Sequence, residues 1–391
     1  MTRIESVDLF YLSMPEVLDI GDGSQDALLV RVRAGGVTGW GECEAAPLPS
    51  IASLVCPMSH SACKPVAASV IGQRIESPQD IRRIGDMVRA ESLDLLQADH
   101  TLSGIDMALW DLLGKMRGEP VYRLLGYDRA FAKRPYASML FGDTPAETFE
   151  KARACGWTAA KFCWGPIGKG SPDEDAAHFH AAREGLGADK TLLVYVGTVW
   201  SHDVERAALA IPALAACGAV WLEEPFTSGA LAAYKSLAGR SGNVRLAAGE
   251  GSHNLDMAQH FIDHAGIGFL QIDTGRIGGV SVAYDAAQYA RAHGVTYVNH
   301  TFTSHLALAA SIAPYAGFEA ETICEYPVEP KALALAITAN HLSPSGDGML
   351  RLLEAPGHGM QIDHEALRGY LVDTEIRVRG QVLYRTPELG E

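Results

Sequence analysis

Between Arg134 and Glu321 short apolar runs recur about every 20 to 30 residues: RPYASML, AAKFC, TLLVYV, AVWLEEP, RLAAGE, FLQID, TYVNH and GFEAE. Ala-rich amphipathic stretches such as DVERAALAIPALAAC separate them. Eight strand-length runs alternating with helices call for a parallel sheet, since each helix returns the chain to the edge where the previous strand began. The even spacing predicts a (β/α) barrel. An open doubly wound sheet would place a Gly-rich nucleotide turn after its first strand, and RPYASMLFGDT has none.

The flanks follow another rhythm. Residues 4 to 40 alternate as strands and turns (IESVDLFYL, ALLVRVRA, AGG, VTGWGE), and from Asp80 to Leu125 the pattern becomes helical, with Ser103 placed to open SGIDMALWDLLGKM. This reading divides the 391 residues into an α+β unit over 1–126, a barrel over 127–345 and a C-terminal segment over 346–391 that folds back on the first unit.

Charge narrows the partners. A net charge of −15 without a Lys/Arg cluster opposes nucleic acid and anionic membranes, leaving small molecules. The seven cysteines form no CxxC pair, no apolar run reaches 18 residues, and the first residues lack a basic segment leading into an apolar one. A reduced, cytoplasmic protein is the expectation.

In a parallel barrel the C-terminal strand ends open onto one face, so residues distant in sequence converge there. The candidates are Lys161, Cys163, Tyr195, Glu223, Glu224, Glu250, Asp273, His300 and, on the eighth run, Glu319 or Glu321. Singly, Glu224 could cap a loop, Asp273 could begin a turn and His300 could be a core histidine. Jointly they gather several acids in one partly buried place with too little positive charge. A divalent cation would remove that cost, and oxygen ligands select a hard ion, Mg²⁺.

With these residues in view, the chain resembles the enolase superfamily, in its mandelate racemase-like subgroup, over nearly its whole length. WLEEPF (Trp221 to Phe226), AAGE (Ala247 to Glu250), QIDTGRIGG (Gln271 to Gly279) and VNH (Val298 to His300) carry the resemblance. It implies an α/β fold: a modified TIM barrel, (β/α)₇β, with an α+β capping domain. It also implies Mg²⁺ held by Glu223, Glu250 and the acid of the third strand. Asp273 and His300 would form a dyad that removes the proton α to a substrate carboxylate. An eighth-strand acid, taken as Glu319 with Glu321 and Glu325 nearby, would help stabilise the enediolate. Family members usually assemble, so a homo-oligomer is expected.

Two departures from the family pattern matter. Lys161-Phe162-Cys163 keeps only the first lysine of a K-x-K pair, which weakens a racemase or epimerase and favours a lyase: dehydration of a sugar acid to a 2-keto-3-deoxy acid, with Lys161 on the substrate carboxylate. The second is Tyr195, which by register occupies the place of the third-strand Asp; Glu223 lies 28 positions after it and Glu250 another 27 on. A phenol with a reference pKa of about 10 is a poor anionic ligand for Mg²⁺. The alternatives are an impaired enzyme, a substituted ligand, a register off by one residue, or a catalytically inactive sugar-acid-binding homologue. Among lesser signals, the loops Asp19 to Gln25 and Cys56 to Ser61 are of the kind that close over a mouth and choose a substrate, with His60 the residue to watch. His178 and His180 read as surface residues; His253 and His305 could reach the mouth but are not counted among its residues.

Overall fold

The computed structural model describes residues 1–18, 26–44, 47–320 and 323–390. Strands β1 (Ile4–Leu12), β2 (Ala27–Ala34) and β3 (Val37–Glu44) form an antiparallel meander. The helix Ala98–Arg117 lies across it. That contact is possible because β3 has no side chain at Gly41: a Cβ there would stand 2.1 Å from the Gly104 carbonyl oxygen. The helix begins at Ala98 rather than at Ser103. Ser103 instead lies inside it and accepts a hydrogen bond from the Gly278 N–H at 2.8 Å.

Eight parallel strands follow: β4 (Arg134–Leu140), β5 (Ala159–Cys163), β6 (Thr191–Tyr195), β7 (Ala219–Glu223), β8 (Arg245–Ala248), β9 (Phe269–Asp273), β10 (Thr296–His300) and β11 (Ile323–Pro327). Their order is β10-β9-β8-β7-β6-β5-β4-β11, a nearly closed barrel with helices between the strands. At the seam the Asn299 side chain bridges β10 and β11. Its Oδ1 accepts from the Glu325 N–H at 3.0 Å and from the Tyr315 hydroxyl at 2.9 Å, and its Nδ2 donates to the Glu325 carbonyl at 3.4 Å.

Over its described residues, Gly317 to Ala320, the expected eighth run GFEAE is not a strand. Phe318 packs into the core, while Glu319 and Ala320 are exposed. The strand starts at Ile323, where ICEYP can bury residues on both faces; GFEAE, with a single bulky apolar residue, cannot.

Inside the barrel one side chain from each strand fills a layer: Tyr136, Ala159, Leu193, Trp221, Ala247, Phe269, Val298 and Ile323. Trp221 sets its ring edge on Tyr136 with centroids 5.6 Å apart and meets Phe269 at 4.8 Å. Because strand side chains alternate, the next inward positions toward the C-terminal ends are fixed. They include Lys161, Tyr195, Glu223, His300 and Glu325, each two residues beyond a member of the layer.

The last segment forms a hairpin, β12 (Glu375–Val378) and β13 (Gln381–Arg385), that docks on the meander. Tyr384 donates its hydroxyl to the Leu9 carbonyl at 2.5 Å, and Arg31 reaches the Leu389 carbonyl at 2.7 Å. Replacing Asn299 by Ala strands the buried groups it now satisfies across the seam, so urea unfolding is expected to show a loss on the order of 2 kcal/mol.

Candidate active site

Two clusters meet at the barrel mouth. In the first, the Lys161 ammonium is 2.8 Å from Glu223 Oε1 and 2.6 Å from Glu325 Oε1, and all three side chains are 0% exposed. The Tyr136, Tyr195 and Phe302 rings surround the same nitrogen at 5.5, 5.3 and 5.9 Å. Burial works against that cation, but Glu223 and Glu325 outweigh it and hold the lysine well above its ordinary pKa, so it stays charged.

In the second, Asp273 Oδ2 accepts from His300 Nδ1 at 2.7 Å. The opposite ring nitrogen, Nε2, lies 3.2 Å from Glu250 Oε2, a charge contact without the angle of a hydrogen bond. Burial would lower the imidazole, yet Glu250, the Asp273 hydrogen bond and Glu325 lift it to about 10. Glu250 moves the other way. Burial would raise it, but His300 and Arg276 hold it below the usual carboxylate range.

Tyr195 joins the clusters. It stands opposite Glu223 across β6 and β7, and its hydroxyl donates to Glu250 Oε1 at 3.1 Å. The Trp164 ring meets it edge-on with centroids 5.4 Å apart. Glu224 sits beside Glu223 with φ at 44°, a left-handed backbone uncommon for a residue with a side chain, and accepts from the Gly249 N–H at 3.3 Å. Burial, then Glu250, pushes Glu224 up to about 8.

The capping strand β3 contributes a layer absent from the sequence candidates. Glu44 binds Arg276 Nε at 2.6 Å, and the Glu44 N–H donates to the Gly275 carbonyl at 3.2 Å. Arg276 in turn reaches the Glu250 carbonyl at 3.3 Å. Glu42 is buried against the Ser304 hydroxyl and is lifted to about 7 by that burial. The signal was present in the sequence: the run VTGWGECE places two acids in a strand whose remaining pattern is that of the core.

The expected residues thus divide. Lys161, Tyr195, Glu223, Glu250, Asp273 and His300 come together. Glu319 does not, because the loop before β11 leaves it in solvent; the inward acid of that strand is Glu325. Lys161 is turned to Glu223 and Glu325 rather than left free for a substrate carboxylate. His60 pairs with Asp94 at 3.0 Å, half-exposed on the cap, so its contacts tie it to the cap and not to the mouth acids. Glu321 and the loop Asp19 to Gln25 lie outside the described residues. His178 is buried, 2.9 Å from Thr148 Oγ1, because its helix packs on Pro145–Ala154; His180 is exposed. His253 is exposed, and His305 stacks on His341 with centroids 4.4 Å apart.

The donors do not fit a three-acid Mg²⁺ site. Glu223 Oε2 and Glu250 Oε2 carry no hydrogen bond, which is the surviving part of such a site. The third ligand is a phenol already bonded to Glu250, and a locked ammonium stands at Glu223. Among the described residues no three His, Cys, Asp or Glu side chains are grouped to hold a metal ion.

Glu250 is the largest influence raising His300, so Glu250→Gln is expected to bring the imidazole titration, followed by NMR of the ring, down from about 10. In the parent the folded value exceeds the ordinary 6.5. The stabilisation it supplies is therefore full below pH 6.5 and is lost as pH rises through about 10.

Residues 12–126 match the mandelate racemase / muconate lactonizing enzyme N-terminal domain, and residues 145–366 match the enolase C-terminal domain-like family. The crystal structure of a predicted mandelate racemase from Rhodobacter sphaeroides superposes with a TM-score of 0.96 at 60% identity, covering 99% of this chain and 100% of that one. A D-galactarolactone cycloisomerase from Agrobacterium fabrum is 28% identical over 85% of this chain and 87% of its own length. A protein from Caldivirga maquilingensis, provisionally named an L-rhamnonate dehydratase, is 27% identical over 68% and 66%. The chain belongs to the mandelate racemase / muconate lactonizing enzyme family of the enolase superfamily, whose relatives named here are enzymes.

Proposed function

We propose that this protein removes the proton α to the carboxylate of a sugar acid, or of its lactone or anhydro form, and expels an oxygen from the β carbon. The observation that carries the reading is the His300–Asp273 pair at 2.7 Å, buried at the barrel mouth with Nε2 turned away from Asp273. Asp273 holds the Nδ1 proton and fixes which nitrogen is the base. Nε2 takes the α proton, and the C–H electron pair moves into the carboxylate as an enediolate. When that pair returns, the β C–O bond breaks and the same Nε2 proton passes to the departing oxygen. If that oxygen is a hydroxyl, water leaves and the enol product becomes a 2-keto-3-deoxy acid; if it belongs to a ring, the ring opens.

A cleft lined by Asp26, Glu42, Met139, Phe302, Thr303 and Lys331 adjoins the ends of β4 and β11. The Phe302 ring lies 5.7 Å from His300, so this cleft is the approach for substrate. The names of the relatives support a sugar-acid substrate, since those proteins are called a galactarolactone cycloisomerase and a rhamnonate dehydratase. Racemisation needs a second base on the opposite face. The β5 candidate, Cys163, is buried beside Ser138 at 3.6 Å, and burial raises its thiol well above the ordinary value, which leaves it a neutral and weak base. Asp273 and His300 pair at 2.7 Å with Tyr195 in place, so the phenol does not prevent the dyad from forming.

A sugar-acid library incubated in D₂O, with α-deuterium and keto product both followed, tests the reading. His300→Asn is expected to slow exchange by roughly 10²- to 10⁴-fold, and the parent rate to climb with pH as the imidazolium is deprotonated. A parent that binds a sugar acid tightly yet exchanges no α proton at any pH would make it a binding protein.

A further inference from the structure

A mouth that buries Glu42, Glu44, Glu223, Glu224, Glu250, Asp273 and Glu325 needs positive charge within it. The chain supplies that charge from its own residues. Arg276 answers Glu44 and the Glu250 side. Lys161 answers Glu223 and Glu325 from full burial, with the Tyr136 and Tyr195 rings 5.5 and 5.3 Å from its ammonium. Two features then act together. The lysine occupies one oxygen of Glu223, and Tyr195 occupies one oxygen of Glu250 while adding no negative charge of its own.

We infer that Lys161 is the built-in counter-cation of this mouth, and that together with Tyr195 it replaces a bound divalent ion. The inference deepens the proposed reaction, because the fixed ammonium would be the positive charge nearest the Glu223 side of the site when the enediolate forms. The electrostatics favour this assignment. A dication brought beside Glu223 would meet an ammonium 2.8 Å from that carboxylate, and would find two acids and a neutral phenol as the expected ligands instead of three acids. Tyr195 is also bulkier than the acid it stands for, and its ring is packed edge-on against Trp164, so it cannot withdraw without opening that contact.

The test needs no substrate, so its failure and the failure of the proton-abstraction reading are separable. Mn²⁺ is titrated into the full chain with free Mn²⁺ followed by EPR, and melting is recorded with Mg²⁺ and with EDTA. The parent is expected to take up no stoichiometric Mn²⁺ and to melt at the same temperature in both. Lys161→Met should melt lower than the parent and recover with Mg²⁺, because Glu223 and Glu325 lose their counter-ion. The double variant Lys161→Met/Tyr195→Asp is expected to gain one Mn²⁺ per chain, at least about 100-fold tighter than the parent. One Mn²⁺ per parent chain, lost in Glu223→Gln, overturns the inference. A double variant that folds, shown by its circular dichroism, and still takes up no Mn²⁺ removes Lys161 and Tyr195 from the role assigned to them. The parent titration decides the matter by itself if the double variant does not fold.

Discussion

A buried carboxylate has to be neutralised where it stands, and the whole barrel mouth is arranged around that requirement. Lys161, fully buried between Glu223 and Glu325, joins three strands that are distant in sequence. An unpaired charge in this position would cost several kcal/mol. Breaking the pair therefore does more than loosen one contact. The Tyr195 ring, the Glu325 carboxylate that accepts from the Thr301 N–H at 2.8 Å, and through them the approach to His300 all rest on it.

The second requirement is rigidity between the cap and the barrel. The loop after β9 is the hinge of the arrangement: Gly275 pairs with Glu44, Arg276 spans Glu44 and Glu250, and Gly279 lets the cap helix approach. A Cβ on Gly279 would stand 2.4 Å from the Asp106 side chain, and its φ of 94° suits only glycine. Asp106 then binds Ser281 at the start of the next barrel helix, and Trp110 donates to the same hydroxyl at 2.9 Å. The motif QIDTGRIGG thus combines the carboxylate that pairs with His300, a bridging cation and a docking surface in one stretch, so the dyad and the cap are positioned by the same loop.

Much of this was legible beforehand, for specific reasons. The resemblance set the register that puts Tyr195 in the place of a third-strand acid, the 28- and 27-residue spacings to Glu223 and Glu250 supported it, and strand alternation places Tyr195 beside Glu223 and His300 beyond Val298. Glu325 and Glu319 show where the reading stopped. Both lie near the eighth run, and choosing between them requires knowing that the strand begins at Ile323, a boundary set by which residues can be buried against β4. Lys161 shows a different limit. Its place on β5 was evident, but whether it faces a substrate or two carboxylates depends on side chains from β7 and β11.

The sequence by itself determined the periodic framework and the identity of the groups at the strand ends, because local alternation and helix spacing are properties of neighbouring residues. Through its resemblance to a known family it named Asp273 and His300 as a dyad, and it displayed Tyr195 as the exception. Only the tertiary structure decided which charges meet. The partnership of Lys161 with Glu223 and Glu325, the reach of β3 into the mouth through Glu42 and Glu44, and the bridge of Arg276 join residues tens to hundreds of positions apart. Such pairings are set by burial and by the closing of the barrel, and the physical cost of leaving a charge unpaired in that interior is what selects them.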